Sequence, residues 1–148
     1  MHGFLSRIVG LILAFVMLII CPLINAYGVQ EMEDRVELLN DVSEFLDKQT
    51  DKGGITNEDM DQFYVNVQSH GMILNVKVDR LVKTATTAGD GTIHTTYIAA
   101  DDNTVLNKHD ILRVKLTEQS STPYKRLLAV FLRIDDDPYK LEMAKMVK

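Results

Sequence analysis

An α+β fold is predicted for this 148-residue chain, and three observations predict it. Apolar residues recur at helical spacing in the first half, they alternate in much of the second half, and the two patterns do not interleave. Helices first and strands afterwards point to α+β rather than to alternating α/β. The expected architecture is an N-terminal transmembrane helix continuing into an amphipathic stalk helix. A second short helix follows, then a small, mainly antiparallel sheet of about four strands. The corresponding division is 1–28 as anchor, 29–52 as stalk and 53–148 as a small α+β domain.

The first element is the almost unbroken apolar run 8–24, with Arg7 before it and Glu31, Glu33 and Asp34 after it. About 18 apolar residues suffice to span a bilayer, a length reached once Phe4, Leu5, Ala26 and Tyr27 are included. Ile8, Leu11, Ile12, Leu13, Phe15, Val16, Leu18, Ile19 and Ile20 are the expected anchor residues. Lysine and arginine tend to stay in the cytoplasm, so Arg7 predicts a single pass through the cell membrane with the N-terminus inside. The C-terminal domain is then extracytoplasmic.

A cleaved secretory signal is the alternative. Ile24-Asn25-Ala26 ends the run as an approximate small-x-small site, although Ile24 is bulky, and cleavage there leaves Tyr27 as the first residue. A lipoprotein signal at Cys21 needs a small residue where Ile20 stands, so Cys21 reads as a small hydrophobe. Pro22 is expected to kink the helix, which a membrane segment tolerates.

Composition narrows the remaining possibilities. The chain is 46% hydrophobic and 25% charged, which is not a disordered composition. Its net charge is -5, and Arg7 is the only charge before Glu31, so the body is slightly more acidic still. That disfavours nucleic acid and anionic lipid as partners of the body, because both are bound by basic patches. Cys21 is the only cysteine, so the chain has no internal disulfide. A bacterial envelope protein fits this better than a disulfide-stapled secreted domain.

Beyond the run, Val29, Met32, Val36, Leu39, Val42 and Leu46 follow steps of three and four, with Leu38 and Phe45 beside them. With only Gly28 as a weak point, run and stripe can form one helix of about 45 residues, roughly 65 Å long at 1.5 Å per residue. Lys52-Gly53-Gly54 stops it. Packing on its own domain is the default role of such a stripe. The functional alternative is that Val29, Met32, Val36, Leu39 and Val42 pack against partners or further copies of the chain.

A second helix is expected over 57–70. Thr56 is its N-cap, Asp59 completes a capping box, Ile55 and Met60 occupy the staple positions, and Gly71 closes it. Met60, Phe63, Tyr64 and Val67 form its buried face. Strands are expected where Leu74, Val76 and Val78 alternate, over 92–98 after the turn Gly89-Asp90-Gly91, and over 111–117. The polar stretch Asp101-Asp102-Asn103 reads as a loop, and so does 119–123. The continuous apolar stretch 127–134 reads as a central strand ended by Asp135-Asp136-Asp137-Pro138. Residues 139–148 fit a short helix or a last strand equally well.

Enzymatic chemistry has no foothold in these motifs. His2, His70, His94 and His109 lack metal-ligand spacing, and His70 and His109 read as residues of a helix end and a turn. Asp135-Asp136-Asp137 lacks the calcium-loop pattern and reads as a solvated turn. Ser120-Ser121-Thr122 is no nucleophile elbow, and Gly89-Asp90-Gly91 is no phosphate loop. No catalytic, cofactor-binding or metal site is expected, nor a small-molecule substrate. A secreted or anchored binding module, whose sheet holds a ligand or surface protein, remains the alternative to a structural role.

A membrane helix leading through a stalk to a small sheet domain resembles pilins and pseudopilins. The segments Phe4-Leu5-Ser6-Arg7-Ile8-Val9-Gly10, Gly54-Ile55-Thr56-Asn57-Glu58-Asp59-Met60 with Phe63-Tyr64, and Asp110-Ile111-Leu112-Arg113-Val114-Lys115-Leu116 are similar to those of small proteins from Tad-type pilus loci of Gram-positive anaerobes. The resemblance implies protein–protein contacts with other pilus or secretion proteins, or with copies of the chain. It departs from the pilin pattern at one point. Pilin precursors carry a glutamate five residues after the processed glycine, whereas here Phe15 follows Gly10 and Ile8 follows Gly3 at that distance. The resemblance therefore implies an accessory component of pilus assembly or secretion rather than the main filament subunit.

Overall fold

A computed structural model describes residues 2–100, 104–134 and 137–148. The elements are helix α1 (His2–Phe15), a π-helical turn (Val16–Ile20), α2 (Cys21–Lys52), α3 (Asn57–Gln68), strands β1 (Leu74–Thr87), β2 (Ile93–Ala100) and β3 (Ile111–Glu118), helix α4 (Pro123–Leu132) and strand β4 (Lys140–Met146). The α+β class and the N-terminal helical run are as the sequence predicts. The expected loop 101–103 and most of the acidic turn, Asp135 and Asp136, lie outside the described residues. Contacts gather the chain into two units, one from Met1–Arg35 and Ser121–Asp137, the other from Val36–Ser120 and Pro138–Lys148. The expected sheet domain over 53–148 thus has an excursion, since Ser121–Asp137 groups with the N-terminal residues.

In the first unit the helical run passes through Pro22 by way of the π turn. Proline has no N–H, and its ring presses on the carbonyl four residues back, here that of Leu18. The Cys21 N–H donates to the Val16 carbonyl, five residues back, and this wider turn sits where the ring needs room.

The stretch 127–134 is not a strand. Residues 127–132 belong to α4, and the sequence signal for that helix lies just upstream. Thr122 is an N-cap in extended conformation whose hydroxyl accepts from the Lys125 N–H at 3.4 Å. Pro123 follows at the first helical position, where its missing N–H costs nothing. A short apolar run fits strand and helix alike, and the cap decides between them. Arg133, in the left-handed conformation at φ 52°, ends the helix.

The second unit is a two-layer structure in which the later part of α2, together with α3, covers one face of the sheet. Strand order is β2-β1-β3-β4, antiparallel throughout. The fourth strand is β4, so 139–148 resolves as a strand rather than a helix. Leu112, Val114 and Leu116 form the inward row of β3, opposite Arg80, Val78 and Val76 of β1 and Lys145, Met143 and Leu141 of β4. The apolar ones share one core with Leu38, Val42, Phe45 and Leu46 of α2 and Phe63 and Val67 of α3. The Phe45 and Phe63 rings stack with centroids 4.0 Å apart. On the outward face Arg113 reaches Asp79 at 3.0 Å and Glu142 at 3.5 Å, a cross-strand charge ladder. Partial burial pushes the Asp79 carboxyl up, but hydrogen bonds from Arg113 and Lys77 and their charges outweigh it and leave it below its ordinary value.

The helix boundaries follow their local chemistry. Gly53, at φ 75°, donates to the Gln49 carbonyl at 2.9 Å and ends α2 as the glycines predict. Gly54 lies so close to the next segment that a Cβ there would meet the Thr104 carbonyl oxygen at 2.7 Å. The capping box of α3 is present, with Thr56 Oγ1 accepting from Asp59 N–H at 3.2 Å and Asp59 Oδ2 accepting from Thr56 N–H at 3.1 Å. Of the staple pair, Ile55 belongs to the core cluster and Met60 packs against it. The helix ends at Gln68, two residues earlier than expected, and Gly71 then turns the chain at φ 70°.

The hydrogen bond from Lys52 at 2.5 Å, together with those from the Thr56 hydroxyl and N–H, holds the Asp59 carboxyl well below the usual carboxylate range. Its contribution to stability is therefore full above the ordinary value of 3.8 and is lost as pH falls through the lower folded value. Thermal unfolding of the Asp59→Asn variant should show a lower Tm than the parent at neutral pH, and the difference should shrink as pH falls below 3.8. Arg80 Nε donates to Asp110 Oδ2 at 2.7 Å, with the side chains 11% and 5% exposed. Asp110→Ala leaves a guanidinium without its buried carboxylate, and denaturant unfolding should register a loss of about 3–5 kcal/mol.

Candidate membrane and interaction surfaces

The helical run Gly3–Lys52 contains a stretch long and apolar enough to cross a membrane, and none of that stretch is buried. The described anchor residues, from Ile8 and Leu11 through Ile12, Leu13, Phe15, Leu18 and Ile19, are exposed, and Val16 and Ile20 are only half-buried. An aliphatic surface of this kind has no compensation in water. Its composition and length suit a membrane anchor or a signal sequence.

The expected partner stripe divides into two groups. In the first unit Val29 and Met32 are exposed, Met32 at 70%. In the second unit Val36 and Leu39 are exposed, whereas Val42 is fully buried within its own core. The inward face of α2 is Leu38, Val42, Phe45, Leu46 and Gln49. Two apolar stripes a short way apart on one helix overlap in their spacing, so periodicity alone placed Val42 with the outer one.

The first unit holds a feature that sequence reasoning missed. Glu31 is 6% exposed, and its carboxylate accepts from Arg35, one turn along α2, and from the hydroxyl of Thr122, the N-cap of α4. A buried carboxylate is tolerable only with such partners. Close by, the Tyr124 ring lies against Gly28, where a Cβ would come within 3.0 Å of Tyr124 Cε2. The glycine that reads as a weak point in the helix is thus the seat of an aromatic ring. Helices α2 and α4 enclose a groove of about 490 Å³ lined by Cys21, Ile24, Gly28, Val29 and Met32 on one side and Tyr124 and Leu132 on the other. Thr122 is level with Glu31, and Leu132 with Cys21 and Ile24, so the two helices run antiparallel.

In the second unit a polar cleft of about 150 Å³ between α2 and α3 is lined by Asp41, Lys48, Gln49, Asp59, Gln62 and Asn66. The buried Gln49 Oε1 faces no hydrogen-bond donor there. That volume falls below the roughly 300–1,000 Å³ of small-molecule sites.

His70 Nε2 lies 2.8 Å from Asp41 Oδ2, and its Nδ1 lies 3.4 Å from Glu37, so this histidine ties the end of α3 to α2. His109 stands in a left-handed turn and donates its N–H to the Val147 carbonyl. His94 lies on the exposed β2 strand, and the side chain of His2 is outside the described residues. Among the described residues, no three His, Cys, Asp or Glu side chains are placed to hold a metal ion.

Comparison with family models, curated proteins and solved structures found no match to this chain. The tether of α4 is testable directly. Gly28→Val drives a branched side chain into the Tyr124 ring, and trypsin should then cut after Lys125 and Arg126 several-fold faster than in the parent, as followed by mass spectrometry.

Proposed function

We propose that this chain is a single-pass, membrane-anchored, pilin-like accessory component of a pilus assembly or secretion system in a Gram-positive envelope, acting through protein–protein contacts. Its N-terminus is cytoplasmic and its C-terminal domain extracytoplasmic, in keeping with Arg7 before the apolar run. The observation that supports this reading best is the apolar surface that continues past the run. Met32 and Val36 are exposed at 70% and 59% on the helix that carries the span. Exposed aliphatic residues at helical spacing are the pattern by which a helix packs on another helix. The resemblance of the flanking motifs to proteins of Tad-type loci names the kind of assembly.

Disulfide or bis-maleimide crosslinking in membranes tests the contact. In a Cys21→Ser background, Met32→Cys and Val36→Cys should capture a second copy or a pilus-locus protein, while Thr117→Cys on the sheet should not. Intramolecular products alone at Met32 and Val36 overturn the assembly role. The intact mass of the mature protein tests the anchor, since a chain beginning at Tyr27 is a released module.

A further inference from the structure

We infer that α4 is a second membrane contact, with its Val130–Ile134 end seated in the outer interfacial layer of the bilayer that the N-terminal helix spans; the inference rests on the anchor reading. The segment carries four apolar side chains that the unit itself leaves uncovered. Val130 is 74% exposed, Leu132 60%, Ile134 50% and Phe131 48%. In a water-facing helix of ten residues such a tip is costly, about 25 cal/mol for each Å² of apolar surface left in water.

The occupant is identified by position along the anchor. The polar start of α4 is fixed to the polar end of the anchor segment, through Thr122 to Glu31 and Tyr124 on Gly28. Thr122 lies at Glu31 and Tyr124 at Gly28, so α4 runs back along the anchor, and eight further residues at about 1.5 Å each bring Leu132 toward Cys21 and Ile24, the outer end of the apolar run. Both helices therefore become apolar in the same direction, and whatever medium surrounds Cys21 and Ile24 also meets Val130 and Phe131. A partner protein or second copy imposes no such shared gradient along two helix axes. A bilayer does, and its depth there is shallow, about one turn inside the outer limit of the run, as for interfacial helices that enter by roughly 5–10 Å. Arg133, exposed where the chain turns back at φ 52°, has the reach to return its guanidinium to the headgroups.

The test uses the full chain with Cys21→Ser, reconstituted in phosphatidylcholine–phosphatidylglycerol vesicles. Single nitroxide labels are placed at Leu13→Cys, Val130→Cys, Phe131→Cys and Thr117→Cys, and collision with oxygen is compared with collision with a water-soluble nickel chelate. The labels at Val130 and Phe131 should favour oxygen over nickel several-fold relative to Thr117, at a depth shallower than Leu13. Nickel-accessible labels at both α4 positions beside a lipid-buried Leu13 overturn the inference and leave the anchor standing. Nickel access at Leu13 as well overturns the anchor and the inference with it. Low collision with both reagents and spin–spin broadening at Val130 mean that a second copy covers the face, which also overturns lipid contact.

Discussion

The second unit depends on one contact, that of the inward stripe of α2 with the inward row of β3. Leu38, Val42 and Leu46 meet the same core as Leu112, Val114 and Leu116, and every one of these side chains is almost completely buried. The neighbouring strands and α3 add to this contact rather than replace it. β1 and β4 flank β3, and α3 stacks Phe63 on Phe45. The ion pair between Arg80 and Asp110 lies at the end of the same row. A single sheet buries its apolar face only against a second layer, and α2 supplies that layer.

The same helix has a different task in each unit. In the second its inward side is core and its outer side keeps Val36 and Leu39 in the open. In the first it has almost no core, only the seat for Tyr124 and the buried Glu31. Glu31 is held by an arginine on its own helix and a threonine hydroxyl from α4, and a hydrogen-bonded charged contact fixes register more strictly than apolar packing does.

Much of this was legible in the sequence, and the misses have particular causes. Thr56, Asp59 and Gly53 encode their helix ends through local hydrogen bonds and backbone freedom, so neighbours a few residues away suffice to read them. The turn at Gly89-Asp90-Gly91 is equally local, with Asp90 Oδ1 accepting from the Thr92 N–H at 3.0 Å. The apolar run 127–134 fits a strand by itself, and only Thr122-Pro123 immediately before it marks a helix start. The fate of Val42 needed the position of β3, over 60 residues away. The role of Gly28 needed Tyr124, and no periodicity in either segment points to the other. Contacts distant along the chain leave no local trace.

Strands β3 and β4 pair antiparallel across the segment that carries α4. These strands are hairpin partners, and their stems are joined where Glu118 N–H donates to the Tyr139 carbonyl at 2.9 Å and Tyr139 N–H donates to Glu118 Oε2 at 2.7 Å. Everything between is, for the sheet, a loop. The entropy of closing a loop grows only with the logarithm of its length, by about 0.6 kcal/mol for each doubling. The hairpin is accordingly almost indifferent to its cargo. A helix can be lengthened, exchanged or removed at this point while the strand pairing persists.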